Sequence, residues 1–209
     1  MNNLPKSLLL RLLYALIGVA IFSFGSATLR IGQVGLDPFT AANIGIGDKV
    51  GLSLGVYQVI INIIILIFVF FFDRKYIGLG TIINMFLTGF FIDYFTLFYQ
   101  KLINIPINLV TQSILLVCGI LIFTFGASFY MSAKLGNAPY DAIAPLIVDY
   151  THKQYRIIRI IQDVIFLAIA LVFGGPVGIG TIINAFFTGP LIAFWNDKVN
   201  GPFIEKTAK

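Results

Sequence analysis

Charge is scarce in this chain. Only 11% of its 209 residues are Asp, Glu, Lys or Arg, where a soluble domain carries about a quarter. That shortage excludes an ordinary water-soluble surface. There is one cysteine, Cys118, and one histidine, His152. A single cysteine excludes an intramolecular disulfide, and one of each leaves no ligand spacing for a metal site. No metal and no other cofactor is expected. Cys118 lies in an apolar run and is expected to be a small buried packing residue. Nothing forms a nucleophile–His–acid set, so the chain is not expected to be an enzyme. There is no Walker phosphate loop, which weighs against ATP-driven transport by this chain alone.

Apolar residues, by contrast, make up 58% of the chain, and the mean hydropathy is +0.95. They come in long runs, such as Val56 to Phe72. A helix needs about 20 mostly apolar residues to cross the hydrocarbon core. Several such runs in one short chain predict an all-α, polytopic membrane bundle. Spans are expected at about 8–29, 53–72, 78–98, 109–132, 156–173 and 177–195. The net charge of +5 fits basic cytoplasmic loops better than nucleic-acid binding, because no basic patch is interleaved with exposed aromatics. The bilayer is the expected partner.

The chain repeats itself. Phe22-Ser-Phe-Gly-Ser-Ala27 returns as Phe123-Thr-Phe-Gly-Ala-Ser128, and Gly35 and Pro38 return as Gly136 and Pro139. Gly78-Leu-Gly-Thr-Ile-Ile-Asn-Met-Phe-Leu-Thr-Gly89 matches Gly178-Ile-Gly-Thr-Ile-Ile-Asn-Ala-Phe-Phe-Thr-Gly189 at nine of twelve positions. Matching Gly, Thr and Asn argue for duplication rather than shared low complexity. The repeats are taken as 1–100 and 101–209, the second with a short polar tail. The repeat also argues that the first run belongs to the fold and is not a signal peptide.

With three spans per repeat the second copy is inverted, as in many secondary transporters. A cytoplasmic N-terminus then puts eleven of the fourteen Lys and Arg inside, leaving Arg30, Lys49 and Lys101 outside, which follows the positive-inside rule. Both termini are expected in the cytoplasm. If the connections near 38–50 and 139–150 also crossed, the repeats would be parallel with a similar charge bias. About 12 residues of helix rise only about 18 Å, short of the roughly 30 Å core. Half-helices that re-enter or lie at the interface are therefore expected. Asp37-Pro38 reads as a cap followed by proline at the first helical position, and Asp141 lies in the first turn of the second half-helix.

Candidate site residues fall in two groups. Thr81, Asn84 and Thr88 share one helix face, and Thr181, Asn184 and Thr188 share the matching one. A pseudo-two-fold axis would bring these stripes together as a polar path, or they are a packing seam of small and hydrogen-bonding residues. The second group is Arg159 and Asp163, four residues apart on one face, with Asp141 as a further contact. Asp163 matches Asn62 and Arg159 matches Gln58. Ionisable groups inside spans are functional hypotheses by default. The bland reading is a structural ion pair with a snorkelling arginine. Asp93 needs a partner or water, and Arg30 is expected to meet a carboxylate or headgroups.

Phe24-Gly25, Gly35-x-x-Pro38 and Gly78-x-Gly80-Thr81, with their second copies, resemble the bacterial YczE/YyaS/YitT group of membrane proteins over about residues 10–195. The YczE-like branch is the expected placement, since the residues after Trp195 read as a short polar extension, not the soluble C-terminal domain of YitT-type members. The resemblance implies a bacterial cytoplasmic-membrane location and brings no active residues. The expected function is that of a transporter or permease for a small polar solute. The alternative is a non-transporting scaffold or assembly partner, and homo-oligomerisation or a membrane partner protein is compatible with either.

Overall fold

A computed structural model describes residues 6–102 and 106–208. Among the described residues nine α-helices follow one another: α1 (Lys6–Ile31), α2 (Pro38–Val50), α3 (Leu54–Phe72), α4 (Leu79–Leu102), α5 (Leu109–Ser132), α6 (Pro139–Thr151), α7 (Tyr155–Phe173), α8 (Ile179–Trp195) and α9 (Gly201–Thr207). There is no strand among the described residues. Helices cover all six expected spans. Four of them, α1, α3, α4 and α5, together with the continuous run Ile179–Thr207, are long and apolar enough to cross a membrane. The remaining helix, α7, has the length, but Arg156, Arg159 and Asp163 interrupt its apolar character.

The surface is inside-out by soluble standards. Phe71, Leu109 and Val172 are each more than three-quarters exposed, while Ser23, Thr124, Ser128 and Asn62 are buried. In a bilayer, apolar side chains lose nothing by facing lipid, whereas polar ones need partners inside the bundle.

The centre is the pair α1 and α5. A Cβ at Gly25 would lie 2.4 Å from the Phe123 amide nitrogen, and one at Gly126 would lie 2.3 Å from that of Phe22. The duplicated glycines thus let the two backbones touch, which is how membrane helices gain packing contact without a hydrophobic drive. The half-helices cross over: α2 packs on α7 and α6 packs on α3. Loop contacts are reciprocal as well. Gly180 N donates to the Val34 carbonyl at 2.7 Å, and Gly80 N donates to that of Leu135 at 2.8 Å. Leu36 N reaches the Pro176 carbonyl, and Asn137 N reaches that of Tyr76. Residues 6–100 and 106–208 therefore interleave instead of lying side by side.

Both half-helices contain 13 residues, a rise of about 20 Å. Asp37 caps α2 by accepting from Thr40 N at 2.9 Å, Pro38 opens it, and Gly51 at φ 71° closes it. The helix α6 also opens on a proline but has no side-chain cap at Ala138. At its far end Lys75 bridges to Asp149 at 2.6 Å, and the Tyr76 hydroxyl donates to the same carboxylate.

Two expectations change. Cys118 is exposed on the outer face of α5, because an apolar run does not distinguish a lipid-facing position from a protein-facing one. The polar tail after Trp195 is folded: a π-helical turn (Asn196–Asn200) leads into α9. Asn200 donates to the Phe125 carbonyl and the Ser128 hydroxyl at 3.1 and 3.0 Å. Ile204 is buried, and the Tyr14 hydroxyl donates to Thr207 at 2.9 Å.

Candidate functional site

The first turns of α2 and α6 meet inside the bundle. The rings of Phe39 and Tyr140, at matching repeat positions, stack with centroids 4.4 Å apart, and Phe166 of α7 closes on both. Beside this junction opens a cavity of about 810 Å³.

An ion-pair chain runs along its wall. Arg159 Nη1 donates to Asp141 Oδ1 at 2.8 Å, and Arg159 Nε donates to Asp163 Oδ2 at 3.3 Å. The Tyr140 hydroxyl donates to the other oxygen of Asp163 at 2.6 Å. The guanidinium carbon also sits 4.8 Å from the centre of the Tyr140 ring, within cation–π range. Gln162 Nε2 holds the Tyr140 carbonyl at 2.9 Å. The guanidinium is thus fixed between two carboxylates and a ring, and it ties α7 to the start of α6. The Asp163 side chain is 5% exposed, so its charge depends on these partners.

The two polar stripes divide. Asn84, Asn184 and Thr188 line the cavity together with Asp141, Arg159 and Asp163. Thr81, Thr88 and Thr181 are not on its wall. The hydroxyls of Thr81 and Thr181 accept from Gly78 N and Gly178 N at 3.0 and 3.1 Å, so each reaches back from the first turn of α4 or α8 to the amide just before it, as the third residue of a capping box does. Thr88 is buried, its carbonyl takes the Ser23 hydroxyl at 3.4 Å, and its own hydroxyl has no partner among the described residues. The Thr188 hydroxyl bonds back to the Asn184 carbonyl.

Asn184 is only 7% exposed, yet neither atom of its side-chain amide has a partner among the described residues. An unmade hydrogen bond on a buried polar group costs roughly 1–3 kcal/mol. Its place on the cavity wall offers a physical reason for that cost: the cavity is where a partner would arrive.

Two further residues belong to this wall, Asp37 and Tyr140. Asp37, read from the sequence only as a cap, is half-buried on the cavity wall. Its Oδ1 accepts from Thr40 N at 2.9 Å, and the Thr40 side chain bonds to the same carboxylate. The signal available was the Asp-Pro pair itself, an acid placed where a discontinuous helix begins. Tyr140 carried no such signal, because a tyrosine in an apolar helix is unremarkable until its ring is seen against Arg159.

A second ion pair lies outside the cavity. Arg30 Nη1 bonds Asp93 Oδ1 at 3.0 Å, and Gly55 N donates to Asp93 Oδ2 at 2.8 Å. Of the contacts expected, Asp93 thus has a protein partner and Arg30 meets a carboxylate, and the pair ties α1, α3 and α4 together.

Residues 9–197 match the model of a family of unknown function, DUF6198. The chain belongs to this family. The DUF6198 assignment agrees with two relatives from Bacillus subtilis (strain 168). The protein is 30% identical to the "uncharacterized membrane protein YczE" over 91% of this chain and 87% of the relative. It is 29% identical to the "uncharacterized protein YyaS" over 96% and 99%. A third relative, an uncharacterized protein of Haemophilus influenzae (strain ATCC 51907 / DSM 11121 / KW20 / Rd), is 26% identical over 86% and 80%. These matches place the chain in the YczE/YyaS group, as its repeated motifs led one to expect. No solved structure matches. The DUF6198 chain is a multi-pass membrane protein.

Proposed function

We propose that this protein is a permease for a small polar solute and that the cavity at the α2–α6 junction is its binding site. The observation that carries the reading is the wall itself: Asn84 from one repeat and Asn184 from the other face one space, beside an ionic chain. Buried ionisable and amide groups are expensive in a membrane and tend to mark solute or ion paths. About 810 Å³ lies within the range of small-molecule sites, roughly 300–1,000 Å³. The duplicated sequence, the crossed half-helices and the reciprocal loop bonds support two inverted repeats, an arrangement in which substrate sits where discontinuous helices meet. On this reading both termini are cytoplasmic and the protein sits in a bacterial cytoplasmic membrane, with basic residues concentrated on the inner side.

The test uses single cysteines at Asn84 and Asn184 in a Cys118→Ala background. Labelling by a membrane-impermeant thiol reagent is measured from each side of oriented vesicles. Reaction at both positions from one side, reduced by a bound solute, is the expected result. If both stay unreactive in folded, oriented protein, the stripes are dry packing seams and a non-transporting scaffold becomes the better reading.

A further inference from the structure

Three carboxylates, those of Asp37, Asp141 and Asp163, share the inner wall with one guanidinium, Arg159. Arg159 is already committed to Asp141 and Asp163. Asp37 lies within electrostatic range of Asp163 and Arg159 but makes no ion pair among the described residues. The two half-helix ends each contribute roughly half a positive charge. Arg156 and Asp197, both exposed parts of the wall, offset each other. About one negative charge is left uncompensated.

The remaining features of the wall add acceptors and apolar surface. Pro145 and Pro190 lie inside α6 and α8 on the wall. Lacking an amide hydrogen, they leave the helical bonds to the carbonyls of Asp141 and Phe186 unmade. Asn184 supplies an unpartnered amide oxygen beside them. The rest is largely apolar, with Phe22, Phe123, Tyr130 and Ile160 among it. Among the described residues no three acids come close enough to share a metal ion. A compact divalent cation therefore lacks its cage, whereas an ammonium group on an apolar body finds a carboxylate, carbonyl acceptors and rings.

We propose that the solute of this cavity is a monovalent organic cation, an amine with an apolar or aromatic body, and that Asp37 is its charge partner. The inference rests on the permease reading of the same cavity. The ammonium pairs with the Asp37 carboxylate and donates to the amide oxygen of Asn184, while the apolar body lies against Phe22 and Phe123.

Purified protein in neutral detergent is titrated with benzylamine, phenethylamine and tetraethylammonium, with phenylacetate as the anionic control. Binding is read by thermal shift and by displacement of radiolabelled phenethylamine. The expected result is stabilisation by at least one amine and none by phenylacetate. Asp37→Asn should weaken amine binding roughly tenfold or more, since it removes the charge. Asparagine is as good a helix cap as aspartate, so the variant should melt as the parent does without ligand. Asp149→Asn, outside the cavity, should bind normally. No response to any of the cations, an equal response to phenylacetate, or unchanged binding in Asp37→Asn would overturn the proposal. Amine binding without flux in vesicles would instead sink the permease reading. Reactive cysteines at Asn84 and Asn184 without amine binding would leave that reading standing and remove this one.

Discussion

At the scale of single residues, Arg159 has the most to lose by substitution. Its guanidinium joins Asp141, Asp163 and the ring of Tyr140. Replacing it by methionine leaves the nearly buried Asp163 carboxylate with only the Tyr140 hydroxyl. Removing one partner of a buried pair typically costs about 3–5 kcal/mol. The expected outcome is a strongly destabilised Arg159→Met variant in detergent melting. Adding Asp163→Asn to it should recover most of the loss, because the orphaned charge is then gone. A single variant that melts like the parent would mean the chain of ion pairs contributes little. Sequence spacing already placed Arg159 and Asp163 on one face, since i and i+4 meet on any helix. The reach of Arg159 to Asp141, 18 residues away, depends on how α6 turns back against α7, and no local pattern encodes that.

At the scale of elements, the helices were legible because each is a long apolar run bounded by Gly, Pro or charge. Both half-helices were legible from their prolines and their length. The face that each helix turns inward was harder to read. In water, apolar periodicity marks the core. In a bilayer both faces are apolar, so Cys118 was assigned inward and is outward. The helix α9 reads as a tail for the opposite reason: its composition is polar, while what docks it is the buried Ile204, the Phe203 ring against Tyr14 and Phe129, the Tyr14–Thr207 bond and the Asn200 amide just before it. The clasp at the far end of α6 offers an element-scale test. The Lys75 ammonium and the Tyr76 hydroxyl hold the Asp149 carboxyl below the usual carboxylate range, and Asp149 in turn raises the Lys75 ammonium. A depressed carboxylate pKa stabilises the fold fully above its unfolded value of about 3.9, and the contribution fades as pH falls through the lower folded value. The raised lysine contributes fully below its unfolded value of about 10.4 and loses its share as pH rises further. The melting difference between parent and Asp149→Asn should therefore be flat from about pH 5 to 9, shrink below about pH 4, and fall with added salt. A difference that grows in acid would contradict the clasp.

At the scale of the whole molecule, the reading depends on which ends face which side. The clasp brings the 73–75 turn to the same end of the bundle as the turn after Thr151. If α3 crosses the membrane, Gly51 and Ser53 lie at the opposite end. Cysteine or glycosylation tags at Lys49 and Lys153 should then report opposite sides, with Lys153 cytoplasmic. Tags on the same side would exclude the inverted arrangement and favour parallel four-span repeats.

The partnership of α1 with α5, completed by residues 196–207, also bears on how the protein is made. Its first helix enters the bilayer well before α5 is synthesised, with Ser23, Ser26 and Thr28 awaiting burial. Tyr14 meets Thr207 only after nearly 200 further residues have emerged. Contacts so distant in sequence make assembly slow and leave the early chain exposed to wrong partners. Until α5 arrives, the glycine face of α1 is an open invitation to any other small-residue helix nearby. Biogenesis of this protein thus depends on a waiting period, set by the rate of translation, during which the half-made bundle must be kept apart from its neighbours.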